Sequence, residues 1–134
     1  MAWKFLGKYR DFGLLLLRLG IGAMLVMHGL PKLMGGPDKW TQLGGAMQYV
    51  GISFLPLAWG LAATLSEFLG GILLVLGVLF RPACLLLTVT MAVAATMHLG
   101  KGEGLMAASH AIELGILFAS LLFIGPGRFS VDRG

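Results

Sequence analysis

The stretch LLLLRLGIGAMLVMHG, residues 14–29, decides the fold because it is apolar except for two side chains, Arg18 and His28. A helix needs roughly 20 such residues to cross the hydrocarbon core of a bilayer, where every backbone N–H and C=O must be paired within the segment. The apolar run extends on both sides of the quoted stretch, from about Phe12 to Met34. Arg18 and His28 therefore lie inside a predicted membrane span, and each requires an explanation.

Three further segments have the length and composition of membrane-spanning helices. The chain has 134 residues, of which 57% are hydrophobic and 12% charged, whereas roughly a quarter of the residues in soluble domains are charged. Strands of a membrane β-barrel alternate in polarity, and runs such as GGILLVLGVLF, residues 70–80, do not. The sequence predicts an all-α, integral membrane four-helix bundle, a single domain over residues 1–134, with spans at about 12–34, 57–80, 83–99 and 105–124.

The charges that flank these spans predict the orientation. More basic residues lie on the side that holds both termini (Lys4, Lys8, Arg10, Arg81, Arg128 and Arg133) than on the other side (Lys32, Lys39 and Lys101). Because cytoplasmic loops carry the excess of Lys and Arg, we expect both termini in the cytoplasm. The net charge of +4 suits anionic lipid. The lipid bilayer is therefore the expected partner, and nucleic acid is not.

The two halves of the chain resemble each other. A shift of 70 residues aligns Met27–His28 with Met97–His98, and EFLGGILL at residues 67–74 resembles ELGILF at residues 113–118. This similarity predicts two parallel repeats of a helical hairpin, an arrangement known among membrane transport folds. The alternative is chance matching of apolar sequence. Small residues recur every four positions in the second and fourth spans, and they suit either packing within the bundle or a homodimer.

The buried arginine calls for a partner. At 1.5 Å per residue, Arg18 lies roughly 9 Å from the cytoplasmic end of the first span, and its long side chain can extend toward Glu67 in the second. A central Arg costs about 2.5–3.5 kcal/mol on insertion scales, and pairing with a carboxylate offsets this cost. The sequence predicts a buried Arg18–Glu67 ion pair, with a purely structural role or snorkelling of Arg18 to the inner interface as alternatives.

A set of histidine and glutamate side chains in the outer half of the bundle forms the candidate ligand site. Its members are His28, Glu67, His98, His110 and Glu113. Imidazole and carboxylate groups bind zinc, iron or copper, so His98, His110 and Glu113 are the candidate ligands of a transition metal. The other candidate is a quinone headgroup, whose carbonyls accept hydrogen bonds. Hydrogen-bonded packing of the histidines is a further interpretation, since no compact motif such as H-E-x-x-H is present.

Three segments resemble the DoxX family of small bacterial four-helix membrane proteins. They are LLRLGIGAMLVMHGLPK (residues 16–32), SEFLGGILLVLGVLFRPA (residues 66–83) and GPGRFSVDR (residues 125–133), and the resemblance extends from about Leu14 to Arg133. The matching positions are Arg18, His28, Gly29, Lys32, Glu67, Gly70, Gly71, Arg81, Gly125, Gly127, Ser130 and Asp132. The family takes its name from a subunit related to thiosulfate:quinone oxidoreductase. Some members are linked to membrane oxidoreductase complexes concerned with thiol and oxidative stress.

The resemblance implies a small inner-membrane subunit of a redox system, linked to quinone or to thiol and oxidative stress. Motifs of soluble enzymes such as G-x-S-x-G, the P-loop and the dinucleotide fingerprint are absent from the sequence. An oxidoreductase activity would therefore need electrons from a membrane or periplasmic redox partner. The alternative function is a non-enzymatic membrane scaffold, or a transporter-like protein for lipid or a small solute.

Overall fold

The computed structural model describes residues 2–133, and that part of the chain is largely helical. Its α-helices are α1 (Arg10–Met34), α2 (Gly36–Gly44), α3 (Pro56–Leu76), α4 (Phe80–Gly100) and α5 (Leu105–Ile124). Short 3₁₀ helices cover Lys4–Tyr9 and Gly45–Val50. Within residues 2–133, four helices (α1, α3, α4 and α5) are long and apolar enough to cross a membrane. The predicted four-helix membrane bundle is confirmed.

The bundle has two faces, which we name by what they hold. The terminal face holds the start of α1, the turn at residues 77–79 and the segment 125–133; the loop face holds α2 and the turn at residues 101–104. The backbone N–H of Arg128 donates to Oδ1 of Asp11 at 3.1 Å, so both ends of the chain meet at the terminal face. That this face is cytoplasmic stays a prediction from charge.

One hydrophobic core joins the four spanning helices. Its buried members are Leu25 from α1, Leu74 from α3, Phe80, Cys84, Leu87 and Met91 from α4, and Ala111, Phe118 and Leu121 from α5. Among the spanning helices, α1 packs most closely against α3, and α4 against α5. These pairs are the two hairpins of the proposed repeat, and the repeat itself stays a prediction.

Glycines set the register between α1 and α3. A Cβ atom on Gly29 would lie 2.8 Å from the backbone nitrogen of Phe68, and one on Gly22 would lie 2.7 Å from the carbonyl oxygen of Gly71. Any larger residue would push the helix backbones apart, which is why small residues favour close packing in membranes. Because the helices are antiparallel, this register places Arg18 level with the turn after α3.

Two helix boundaries differ from the predicted spans for physical reasons. Helix α3 ends at Leu76 instead of near Phe80, because Gly77 adopts a left-handed conformation (φ 69°) and its N–H donates to the carbonyl of Leu73 at 2.8 Å. Helix α4 already begins at Phe80. The carboxylate of Asp132 accepts hydrogen bonds there from the N–H groups of Leu79 (3.2 Å) and Phe80 (2.8 Å). This cap comes from the far end of the chain, so local sequence could not reveal it.

Candidate functional site

A cavity of about 360 Å³ lies between α3 and α4 in the loop-face half of the bundle. Helix α2 and the following 3₁₀ helix cover it from the loop face, and most of its lining is apolar, including Leu43, Met47 and Val93. At its lateral side, Leu86 and Val89 are 55% and 54% exposed on the outer surface of the bundle. The cavity therefore reaches the lipid-facing surface and has the size of a small-molecule site.

The polar centre of the cavity is an ion pair between α1 and α3. The Nζ atom of Lys32 lies 3.1 Å from Oε2 and 3.3 Å from Oε1 of Glu67, and both residues line the cavity. The side chain of Glu67 is 13% exposed and that of Lys32 34% exposed. The pair thus places a charge-assisted hydrogen bond beside apolar space within the membrane span.

Two donors that line the cavity lack hydrogen-bond partners within residues 2–133, the hydroxyl of Thr64 and the indole N–H of Trp59. Thr64 is 1% exposed, and it lies on the same face of α3 as Glu67 because the two residues are three positions apart. In contrast, Thr88 donates its hydroxyl to the carbonyl of Cys84 at 2.7 Å. A buried polar group without a partner costs about 1–3 kcal/mol, so an acceptor on a ligand would be stabilised here.

His98 lines the loop-face end of the cavity, at the end of α4. Its Nδ1 atom lies 2.8 Å from Oε1 of Glu103, in the turn between α4 and α5. The side chains of His98 and Glu103 are 32% and 45% exposed. This pair therefore links the interior of the cavity to the surface of the loop face.

The other members of the predicted ligand set lie outside the cavity. His28, His110 and Glu113 are exposed on the outer surfaces of α1 and α5. Within residues 2–133, no group of three or more His, Cys, Asp or Glu side chains is close enough to hold a metal ion. The structure does not bring His98, His110 and Glu113 together, because His98 faces the α3–α4 cavity while the other two point outward from α5.

The structure also places Arg18 and Glu67, the predicted ion pair, with other partners. Glu67 pairs with Lys32, and the Nη2 atom of Arg18 donates to the carbonyl of Phe129 at 2.6 Å. The register between α1 and α3 places Arg18 level with Gly77, about 15 Å along the helix axis from Glu67. An arginine side chain cannot cover that distance, so one acid and one base on neighbouring helices did not suffice to predict a pair.

Arg18 belongs to a clamp made by the segment 125–133 on the terminal face. The N–H of Val131 donates to the carbonyl of Leu76 at 3.1 Å, and that of Asp132 to the carbonyl of Gly77 at 2.9 Å. Nε and Nη1 of Arg18 have no hydrogen-bond partner within residues 2–133, so one hydrogen bond and close packing hold this guanidinium. The clamp ties α1, α3 and α4 together at this end.

Sequence reasoning missed three residues of the cavity. In the sequence, Lys32 resembles a charge that flanks a span, Trp59 resembles an interfacial aromatic residue, and Thr64 resembles a packing residue of α3. A usable signal existed for Thr64, because it shares a helix face with Glu67. The pairing of Lys32 depended on the register of α1 against α3, which sequence periodicity does not specify.

Comparison with known proteins agrees with this architecture. The family model described as DoxX matches residues 13–100. An uncharacterized protein of Haemophilus influenzae is 35% identical, over 96% of this chain and 94% of that protein. The inner membrane protein YphA of Escherichia coli is 28% identical, over 94% of this chain and 96% of that protein. No solved structure matches significantly.

The four apolar helices and these relatives make this protein a multi-pass protein of the bacterial inner membrane, in contact with the lipid bilayer. The family match covers α1, α2, α3 and α4, and thus every helix that lines the cavity. By this match, the chain belongs to the DoxX family.

Proposed function

We propose that this protein is the quinone-binding membrane subunit of a redox system, with the cavity between α3 and α4 as the quinone site. The observation that carries the proposal is the pair of buried, unpartnered donors on Thr64 and Trp59, two of the residues that line the apolar cavity. A quinone headgroup carries carbonyl acceptors and no donors, and its isoprenoid tail is lipid-soluble. Such a ligand complements both the donors and the lateral opening.

The charged residues of the site support the same ligand class. The ammonium of Lys32 is a third donor beside the cavity, and the carboxylate of Glu67 holds it in place. A bound quinone would supply two-electron, two-proton redox chemistry. The Lys32–Glu67 pair would hold protons next to the headgroup, and the His98–Glu103 pair would exchange protons with the aqueous loop face. Electrons would come from a partner protein.

The first experiment measures quinone binding directly. The purified protein in nanodiscs of phosphatidylethanolamine and phosphatidylglycerol is titrated with short-chain benzoquinone and naphthoquinone analogues while tryptophan fluorescence is recorded. We expect saturable quenching, because Trp59 lines the site. Quenching that rises linearly, as for a soluble indole in the same lipid, would mean that the quinone merely partitions into the bilayer and would overturn the proposal.

A matched pair of threonine variants tests the site itself. Thr64→Val removes the unpartnered hydroxyl at nearly constant volume, and we expect quinone affinity to fall about tenfold, as for loss of one hydrogen bond. Thr96→Val is the control, because this hydroxyl donates to the carbonyl of Ala92 and lies outside the cavity. Equal affinity of both variants would contradict the assignment. Stable binding of phospholipid instead of quinone would favour the scaffold or transporter-like function.

A further inference from the structure

Two polar side chains face outward from α5 within its membrane span. His110 and Glu113 are exposed. Within residues 2–133, neither side chain makes a hydrogen bond or an ion pair. They lie about 7 Å and 12 Å along the helix from its loop-face end. Glu113 is therefore well inside the hydrocarbon region while pointing away from the core of its own bundle.

Lipid tails offer no hydrogen bonds to such groups. Ionisable residues in membrane spans usually face a bundle interior or a water-filled cavity, or pair with one another. On α5, His110 and Glu113 are three positions apart and share one face of the helix with Ser120. This face carries a donor, an acceptor and a small hydroxyl in a row, and such a pattern is typical of contacts between membrane helices.

We propose that a second copy of this chain packs against the outward face of α5, with His110 of each copy hydrogen-bonded to Glu113 of the other. The two copies are complementary, because in a parallel dimer about a twofold axis normal to the membrane, equal heights on the two helices meet. His110 and Glu113 differ in height by about 4.5 Å, which their side chains can cover. The His110–Glu113 hydrogen bond then forms twice, once in each direction, and gives a partner to both side chains of each copy.

On the flank of α5 away from His110, next to the edge of the face that Glu113 and Ser120 form, the surface has room for a neighbouring helix. A groove of about 270 Å³ between α4 and α5 is lined by small residues, among them Ala92, Ala95, Gly115 and Ala119. Small residues let a neighbouring helix approach closely, and van der Waals packing then drives association in lipid. The outward surface of α1 lacks this combination, because His28 has no acidic residue within one turn on its own helix.

Cysteine cross-linking in native membranes tests the interface. Ser120→Cys places a thiol on the proposed seam, and Leu19→Cys is the control at a similar height on the outward side of α1. The native Cys84 is fully buried and adds no background. We expect oxidant-induced dimers from Ser120→Cys and not from Leu19→Cys. Equal cross-linking of the two variants, or none, would overturn the proposal.

Substitution of the polar pair tests its role. Glu113→Leu on the Ser120→Cys background should fold, because it adds an apolar side chain to an outward surface, and it should weaken dimer association about tenfold, as expected for lost interhelical hydrogen bonds. Glu113→Gln retains hydrogen bonding and should restore most of the dimer. Unchanged association of Glu113→Leu would contradict the pairing. Quinone binding should be equal in all these variants, because α5 lies outside the cavity.

Discussion

Arg18 and Lys32 are both basic residues of α1 within the membrane bundle, and their surroundings differ completely. Arg18 is 1% exposed and is held by the clamp on the terminal face. Lys32 is paired with Glu67 at the edge of a cavity that reaches the lipid surface. Both ends hold polar atoms without a hydrogen-bond partner within residues 2–133, but those of Arg18 are enclosed by close packing, whereas Thr64 and Trp59 belong to residues that line a cavity.

The buried side chains follow the same division. Large core residues such as Leu74, Phe80, Phe118 and Leu121 lie in the terminal half. In the loop half, the residues buried on α5 include Ala108 and Ala111, and space remains between α3 and α4. A densely filled region tolerates little change in volume, while a cavity tolerates it well. Substitutions in the two halves should therefore have very different effects on stability.

The largest effect is expected at Gly77. This residue has φ 69°, and an added Cβ atom would collide with Nη1 of Arg18 and Cβ of Ser130. Gly77→Ala should lower the free energy of unfolding by about 3 kcal/mol, because it combines backbone strain with overpacking. Gly102→Ala is the control, since Gly102 has φ 73° and open space around it; strain alone should cost about 1 kcal/mol. Denaturant unfolding in micelles measures the loss in both variants. Equal losses would contradict the interpretation that the terminal half is tightly packed.

The next effect concerns the ion pair of the cavity. Lys32→Met leaves the Glu67 carboxylate without its partner, and we expect a loss of about 2 kcal/mol in the free energy of unfolding. The double variant Lys32→Met/Glu67→Leu should regain most of that loss, because apolar replacement of a whole ion pair is often neutral. Denaturant unfolding in micelles measures the free energies of both variants. A double variant as unstable as the single one would mean that the pair is a structural element of the bundle.

A smaller effect is expected at the cap of α4. Asp132→Ala removes the carboxylate that accepts from the N–H groups of Leu79 and Phe80, and it should cost about 1 kcal/mol. Asp38→Ala is the matched control, because Asp38 lies in the first turn of α2 and α2 has no side-chain cap. We expect a change below about 0.5 kcal/mol for this control. Equal melting temperatures of the two variants would argue against the clamp.

The smallest effect on stability is expected for Thr64→Val. The parent hydroxyl is buried without a partner within residues 2–133, so its removal should raise the free energy of unfolding by about 1 kcal/mol at most, because the cost of the unpaired hydroxyl disappears. Thr88→Val serves for comparison, since that hydroxyl donates to the carbonyl of Cys84. Thermal unfolding without quinone measures both. A marked loss for Thr64→Val would indicate a structural partner for this hydroxyl and would weaken the case for a ligand site.

Local composition was sufficient to predict the helices and insufficient to predict the contacts between them. The start of α1 at Arg10 and the end of α5 at Ile124 lie close to the predicted limits, because span length depends on the thickness of the membrane. Only part of the candidate ligand set lies at the cavity: Glu67 and His98 line it, while His28, His110 and Glu113 do not. Polarity within an apolar run identifies an unusual residue, but not the direction in which it points.

Four membrane-spanning helices could be predicted from the sequence, because apolar length and backbone hydrogen bonding act within each segment. The partners of the buried charges depend instead on how the helices pack. Close contacts at Gly22 and Gly29 set the register that brings Lys32 to Glu67 and places Arg18 beside Gly77. Contacts between residues far apart in sequence depend on how helix surfaces fit together, and a single sequence read segment by segment contains no direct measure of that fit.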